Sequence, residues 1–238
     1  MIFYRKIDKI QAISFDLDDT LYDNHPYIMA AESKLKGFLQ QHFPRTKTCH
    51  ENFWNDTKKR VLKLQPELRL DMGLLRHHTL RAGLSECGYQ GAQLEEGVQQ
   101  SFRHFYFHRS DFKVDEIICS LLSELAQRLP LVAITNGNVN LQQIGISEYF
   151  QFSLHANLTQ AMKPHSGMFK LACERLKLSP GQILHVGDSL INDVLGGQKA
   201  GLQTAWYAHN RTMRLNTELT SLLPDIELHS LDELKLLL

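Results

Sequence analysis

The stretch that decides the fold lies near the amino end of the chain, where residues 10–20 read IQAISFDLDDT. Its first six residues are mostly apolar, which is typical of a buried strand, and acidic residues begin abruptly where that pattern stops. Asp16 and Asp18 therefore follow a predicted strand directly. Residues two apart face the same opening as an extended chain turns, so we expect both carboxylates to serve one site. Asp19 points the other way and is expected to be structural.

A second strand is predicted at residues 131–135, where LVAIT is a continuous apolar run. Further strands are predicted at 152–156, 183–186 and 204–207, and a final strand near Ile226. Helices are predicted at 116–127, 168–176 and 191–200, with a last one over 231–238. Because strands alternate with helices, the sequence predicts an α/β fold with a doubly wound, Rossmann-like parallel sheet.

The chain between the first strand and the rest of the sheet has helical spacing throughout. Helices are predicted at 27–42, 51–64, 74–83 and 93–108, with proline and glycine between them. Four helices with short connections indicate a small bundle inserted into the sheet domain. The two linkers, near residues 21–24 and 110–114, are predicted hinges, and we expect the bundle to close over the substrate.

Composition narrows the class of protein. The 238 residues carry 26 Lys plus Arg against 26 Asp plus Glu, so the formal charge is zero. This balance argues against nucleic-acid and anionic-membrane partners, which select a basic excess. No apolar run approaches the roughly 18 residues of a membrane span, and we expect a cytoplasmic protein.

The cysteines form no Cys-x-x-Cys pattern and are expected to be separate, buried, reduced thiols; they are Cys49, Cys87, Cys119 and Cys173.

Polar residues follow each predicted strand of the sheet. In open parallel sheets, ligands bind beyond the carboxyl ends of the strands, so these residues should converge. In chain order they are Asp16 and Asp18, then Thr135, Asn136 and Gly137, then Lys163, and finally Gly187, Asp188 and Asp193. Two unit charges about 4 Å apart repel by roughly 4 kcal/mol at an effective dielectric constant of about 20, so the four acids need a cation. Hard oxygen ligands select Mg²⁺.

The remaining groups suit a phosphate ester, which Mg²⁺ commonly binds together with one or two carboxylates. Lys163 and the Thr135 hydroxyl match phosphate oxygens. Gly137 and Gly187 would let backbone N–H groups approach an anion. One carboxylate can attack phosphorus, while a second, protonated carboxyl protonates the leaving oxygen and later deprotonates water.

At these residues the sequence resembles the haloacid dehalogenase superfamily. Its phosphatases share Asp-x-Asp-x-Thr, a Thr or Ser after the second strand, a Lys, and Gly-Asp-x-x-x-x-Asp. All four motifs occur here in order, as DLDDT from Asp16, TNG from Thr135, KP from Lys163 and GDSLIND from Gly187. The resemblance implies a discontinuous catalytic core of residues 1–22 plus 112–238 and an alpha-helical cap over 23–111.

The resemblance also implies a role for each matching residue. Asp16 would be the nucleophile and Asp18 the general acid and base. The implied Mg²⁺ ligands are Asp16, Asp18 through its backbone carbonyl, Asp188 and Asp193, and the implied phosphate-binding residues are Thr135, Asn136 and Lys163. Dehalogenases of the superfamily lack an acid where Asp18 stands, so this residue favours phosphate chemistry.

The expected function is Mg²⁺-dependent hydrolysis of a small cytosolic phosphate monoester through an aspartyl phosphate. Residues 15–24 and 131–138 further resemble a bacterial subgroup that hydrolyses flavin mononucleotide and 5-amino-6-(5-phosphoribitylamino)uracil. Two alternatives stay open. A phosphotransferase or mutase would pass the phosphoryl group to a second alcohol, and a phosphoacceptor signalling module would keep it, although receiver domains are smaller and lack a large inserted bundle.

Overall fold

The computed structural model describes residues 1–218, 220 and 222–238, and within them seven strands form one sheet. In chain order the strands are β1 (Ile2–Phe3), β2 (Ala12–Phe15), β3 (Leu131–Thr135), β4 (Phe152–His155), β5 (Ile183–Gly187), β6 (Gln203–Trp206) and β7 (Ile226–Glu227). The order across the sheet is β1-β7-β6-β5-β2-β3-β4. Neighbours from β7 to β4 are parallel, and only β1 runs antiparallel, against β7. The predicted mostly parallel, Rossmann-like α/β fold is confirmed.

The helices follow the predicted order with slightly different ends. They are α1 (His25–His42), α2 (Phe53–Leu64), α3 (Met72–Glu86), α4 (Gly91–Arg109), α5 (Glu116–Ala126), α6 (Gly167–Leu176) and α7 (Gly196–Ala200). The helix predicted over 191–200 is divided, because a π-helical turn (Leu190–Leu195) precedes α7. The last predicted helix is a 3-10 helix (Leu231–Leu237). Among the described helices, none has the length and apolar character that crossing a bilayer requires.

The chain divides into two compact units. The core unit comprises Met1–Asn24, Lys113–Gly137 and Leu141–Leu238, and it contains the sheet. The helical unit comprises His25–Phe112 with Asn138–Asn140.

The sheet of the core unit positions three strand ends at one level. Strands β2, β3 and β5 are buried along their whole length, which explains their nearly continuous apolar sequences. Phe15 at the end of β2 pairs with Ala133 of β3 and with Val186 of β5. The chain passes from β2 outward to β3 and β4, and then returns to the other side of β2 for β5. The loops that leave these strands therefore surround a topological switch point, where open α/β sheets bind ligands.

The helical unit has its own apolar core. Helix α1 packs against α4, α4 against α3, and α3 against α2. Inward-facing residues such as Leu35, Leu39, Leu84 and Val98 fill the interior.

Three of the four cysteines depart from the expectation of buried thiols, because Cys49, Cys87 and Cys119 are half-buried and only Cys173 is buried. The sulfur atoms of Cys49 and Cys87 lie 3.4 Å apart in the helical unit, and both residues are half-buried. Burial, joined by the hydrogen bond between the two thiols, raises the pKa of Cys87 to about 12. The separation of these two residues along the sequence concealed their contact.

A glycine in α3 provides a test of the packing in the helical unit. A Cβ at Gly83 would lie 2.2 Å from the ring of Trp54, so we expect Gly83→Ala to lower the free energy of unfolding. The loss should be about 1–3 kcal/mol, as for other overpacked cores. Gly37→Ala in α1 is the matched control, because an added Cβ there meets nothing within 4 Å. It should stabilise by about 0.5–1 kcal/mol through helix propensity. Denaturant unfolding followed by circular dichroism measures both, and stabilisation by Gly83→Ala would contradict the packing.

Candidate active site

A buried ammonium group forms the centre of the candidate site. Lys163, in the loop after β4, is only 3% exposed. Its Nζ donates to Asp16 Oδ1 at 2.6 Å, to Asp193 Oδ1 at 2.6 Å and to the carbonyl oxygen of Ile134 at 2.7 Å. An ammonium group has three N–H donors, so protein atoms accept all of them. The predicted direct bond from Lys163 to phosphate would therefore have to displace one of these contacts.

The charges of this centre shift one another's proton affinities. Burial alone would lower the pKa of Lys163, but the Asp16 and Asp193 carboxylates outweigh it and raise the pKa. Burial would likewise raise the pKa of Asp193, yet Lys163 and His185 outweigh it and lower the pKa. Lys163 and Asp193 thus each favour the charged form of the other. Burial, together with the charges of Asp193 and Asp188, raises the pKa of Asp16 well above its ordinary value against the opposing effect of Lys163.

The acidic groups match the donor set of a divalent cation. Asp16, Asp188 and Asp193 each offer a carboxylate oxygen, and these oxygens all lie within 4.8 Å of one another. Hard oxygen donors of this kind fit Mg²⁺. Burial, and then the charge of Asp193, raises the pKa of Asp188 to about 6. A cation at this position would offset the repulsion that disfavours the ionised forms of Asp16 and Asp188.

Arg211 contacts Asp188 but was absent from the predicted site. Its guanidinium donates to Asp188 Oδ2 at 2.9 Å and to the Asp188 carbonyl at 2.8 Å. Arg211 lies in the loop after β6, where no motif marks it. Only the folded loop brings it to Asp188.

Asp18 lies outside this acidic cluster and has different neighbours. Its Oδ1 accepts a hydrogen bond from the Tyr22 hydroxyl at 2.7 Å. Its Oδ2 lies against Gly137, because a Cβ at that glycine would come within 2.5 Å of the oxygen. The Asp18 carboxyl thus faces the loop that contains Thr135 and Gly137, and its metal contact through the backbone carbonyl stays a prediction.

The loop after β3 is organised around Thr135 and Asn136. The Thr135 hydroxyl accepts a hydrogen bond from the Gly137 N–H at 2.9 Å. Asn136 Oδ1 accepts from the backbone N–H of Lys163 at 2.8 Å, and Asn136 Nδ2 donates to the Lys163 carbonyl at 3.1 Å. Both polar atoms of the Asn136 amide therefore contact the Lys163 segment. Asn136 thus positions Lys163, while phosphate binding by Asn136 and by Thr135 stays a prediction.

The two glycines of the motifs make room for carboxylates. A Cβ at Gly187 would lie 2.2 Å from Asp193 Cγ, just as one at Gly137 would meet Asp18. From the sequence we expected both glycines to admit an anion. In the structure, the space left by the missing Cβ of each glycine is occupied by an aspartate side chain of the site itself.

Two buried polar residues beneath the site were missed. His185 Nε2 lies 3.1 Å from Asp193 Oδ1, and His185 Nδ1 lies 2.8 Å from Ser14 Oγ. Burial lowers the pKa of His185, although Asp193 opposes the shift. Ser14 and His185 thus fix Asp193 from inside the sheet. A histidine and a serine within otherwise apolar strands are the signal that could have identified them.

The π-helical turn aims Asp193 at Lys163. Its first residues are tied by the Ser189 hydroxyl, which accepts from the Asn192 N–H at 3.1 Å. Asp193 Oδ2 accepts from the Ser189 N–H at 2.9 Å, so the carboxylate folds back over the end of β5. Such turns are rare and concentrate at functional sites.

The fold and the site together, with acids directly after β2 and a buried lysine between two carboxylates, indicate a hydrolase with a Rossmann-like core. The model of the haloacid dehalogenase-like hydrolase family matches residues 10–201, and the chain belongs to this family. The predicted family and enzyme class are confirmed.

Curated relatives and a solved structure agree with this assignment. The chain is 34% identical over 234 residues to the 5-amino-6-(5-phospho-D-ribitylamino)uracil phosphatase YigB of Escherichia coli K12, with 98% of each chain covered. It is 28% identical to the putative HAD-hydrolase YfnB of Bacillus subtilis 168, over 95% of this chain and 94% of that one. The crystal structure of a 2-haloacid dehalogenase from Pseudomonas syringae pv. tomato DC3000 matches with a TM-score of 0.89 and 30% identity, over 96% of this chain and 97% of that one.

Removal of the central ammonium group tests the electrostatic arrangement. We expect Lys163→Met to lower the free energy of unfolding by about 3–5 kcal/mol, because two buried carboxylates lose their partner. Denaturant unfolding at neutral pH with a chelator present measures this. Lys170→Met, at an exposed position of α6, is the matched control and should change stability by less than about 0.5 kcal/mol. Equal effects of the two substitutions would contradict the buried ion pair.

Proposed function

We propose that the chain is a Mg²⁺-dependent phosphatase that hydrolyses a riboflavin-pathway phosphate monoester through an aspartyl phosphate on Asp16. The candidate substrates are 5-amino-6-(5-phospho-D-ribitylamino)uracil and flavin mononucleotide. Asp18 carries the proposal, because a second carboxyl that faces the Thr135 loop provides the acid that an alkyl phosphate needs. The activity named for the Escherichia coli relative, at 34% identity, supports the substrate class.

In the first half of the proposed reaction, an oxygen of Asp16 forms a bond to phosphorus as the ester P–O bond breaks. Asp16 Oδ1 accepts from Lys163, which orients the carboxylate and leaves Oδ2 for the attack. Asp18 gives its proton to the departing oxygen, so an alcohol leaves. In the second half, Asp18 takes a proton from water, the water oxygen attacks phosphorus, and inorganic phosphate and the Asp16 carboxylate are released.

The proposed metal ligands are Asp16, Asp188, Asp193 and the backbone carbonyl of Asp18. When bound, Mg²⁺ would neutralise the clustered acids and the phosphate oxygens. Asp193 already accepts from Lys163, His185 and the Ser189 N–H. We therefore propose that Asp193 contributes to the metal site through water.

The match to the 2-haloacid dehalogenase of Pseudomonas syringae raises a second candidate, hydrolysis of a haloacid. In that reaction a carboxylate displaces halide from carbon, and halide leaves without a proton. Departure of halide needs no proton from Asp18, whereas an alkoxide leaving group requires one. The phosphotransferase alternative is distinguished by product analysis with an added acceptor alcohol.

We also propose that the helical unit is the cap of the family, with the predicted boundaries 23–111, and that it selects the substrate. A cytoplasmic location stays a prediction.

A substrate panel tests the proposed reaction. Phosphate release from the two riboflavin-pathway esters should exceed release from nucleotides, sugar phosphates and pyridoxal phosphate, and 2-haloacids should yield no halide.

Asp16→Asn should lower the rate of phosphate release by at least about 1,000-fold, because it removes the nucleophile. Asp8→Asn, at an exposed position, is the control and should keep the wild-type rate. Phosphate release by Asp16→Asn at the wild-type rate would exclude the assigned nucleophile.

Metal titration tests the acidic cluster without reference to turnover. We expect Asp188→Asn to weaken Mg²⁺ binding by at least about 10-fold, as loss of a direct ligand should exceed the effect of losing a supporting contact. Calorimetric titration measures the affinity. Asp232→Asn, at an exposed position near the carboxyl end, should bind as the wild type does. Unchanged affinity in Asp188→Asn would contradict the ligand set.

A further inference from the structure

Tyr22 places its hydroxyl against the carboxyl of Asp18. The side chain is only 4% exposed, and the hydroxyl donates to Asp18 Oδ1 at 2.7 Å. Tyr22 lies outside the four motifs that identify the family. The contact is local to the core unit and depends on the turn that follows β2.

That turn sets the distance between the two residues. The Leu21 N–H donates to the Leu17 carbonyl at 2.9 Å, and Asp18 and Tyr22 form a short parallel bridge. Asp19 has a left-handed backbone with φ 61°, and its carboxylate accepts from the Asn24 N–H at 2.9 Å. The turn is therefore closed at both ends, and it returns Tyr22 to the side chain of Asp18.

The two oxygens of Asp18 consequently have different surroundings. Oδ1 accepts from the buried Tyr22 hydroxyl, whereas Oδ2 lies against Gly137 in the loop that carries Thr135. Alanine at position 137 would close the space for Oδ2, since its Cβ would lie 2.5 Å from that oxygen. When the Asp18 carboxyl is protonated, a hydroxyl that donates to Oδ1 favours placing the carboxyl proton on Oδ2. The reason is that Oδ1 then acts as the acceptor.

We propose that Tyr22 is a positioning residue for the leaving-group proton. Its hydroxyl directs the transferable proton of Asp18 to Oδ2, on the side of the Thr135 loop, and fixes the rotation of the carboxyl. As the ester P–O bond breaks, the proton passes from Asp18 Oδ2 to the leaving oxygen, and Tyr22 keeps its own proton throughout. This role rests on the proposed function of Asp18 as the general acid.

The experiment compares two probes that differ in their need for a proton. Flavin mononucleotide has an alkyl leaving group that must be protonated, whereas p-nitrophenolate leaves p-nitrophenyl phosphate without a proton. The quantity compared is kcat/KM, because it reports on the steps up to departure of the leaving group. Tyr22→Phe should lower kcat/KM for flavin mononucleotide by about 10-fold or more, a part of the roughly 100- to 10,000-fold that general acid catalysis contributes, and by less than about 3-fold for p-nitrophenyl phosphate.

The ratio of the two effects separates positioning from folding. A reduced fraction of folded protein lowers both values of kcat/KM equally and leaves their ratio unchanged. Tyr4→Phe is the matched control, because the Tyr4 hydroxyl also donates to a carboxylate, that of Glu227, at 2.8 Å. It removes the same chemical group at the distant β1–β7 edge and should leave the ratio as in the wild type.

Asp18→Asn distinguishes failure of this inference from failure of the proposed function. Asp18→Asn should lower kcat/KM selectively for flavin mononucleotide, and adding Tyr22→Phe to it should cause no further selective loss. If Asp18→Asn is selective but Tyr22→Phe affects both probes equally or neither, the role of Tyr22 is overturned. If Asp18→Asn lowers kcat/KM equally for both probes or for neither, Asp18 is not the general acid. The proposed role of Tyr22 is then also overturned.

Discussion

The structure depends on the ammonium group of Lys163, which lies between the carboxylates of Asp16 and Asp193. Both acids and the lysine are buried, and each ion would cost several kcal/mol to bury without its partners. The loop after β4, the end of β2 and the turn after β5 must therefore meet at one point. The strand order supplies this convergence, because β2 lies between β3 and β5. The convergence of these three segments thus both pairs the buried charges and brings the residues of the site together.

Asp16 and Asp18 lie two residues apart just after β2, yet their carboxyl groups have different environments. Asp16 is buried against Lys163 and near Asp188, whereas Asp18 is half-buried and bonded to a neutral hydroxyl. Environments that differ in this way allow one carboxyl to serve as a nucleophile and the other to carry a proton. The net charge of zero describes the whole chain, while charge is concentrated where these strands end.

Sequence periodicity located the strands and the residues that follow them, because buried parallel strands are continuous apolar runs that end at polar residues. It could place Asp16 at the end of a strand and Lys163 in the loop that follows a later strand. It could not assign the contacts of Asn136, since the spacing of a motif does not show which atoms meet in the fold. His185 and Arg211 were missed for the same reason: their partners lie in other elements. The edge strand β1 was missed because two residues are too few to show a period.

The most direct test of Asp16 as the nucleophile is mass spectrometry of the chain quenched in acid during turnover of a phosphate ester with Mg²⁺. We predict one phosphoryl group on the peptide that contains the three aspartates of the first motif, Asp16, Asp18 and Asp19. Borohydride reduction before digestion should then mark Asp16 and leave Asp18 unchanged. A phosphoryl group on any other residue, or rapid turnover with no phosphorylated peptide at any quench time, would contradict an aspartyl phosphate on Asp16.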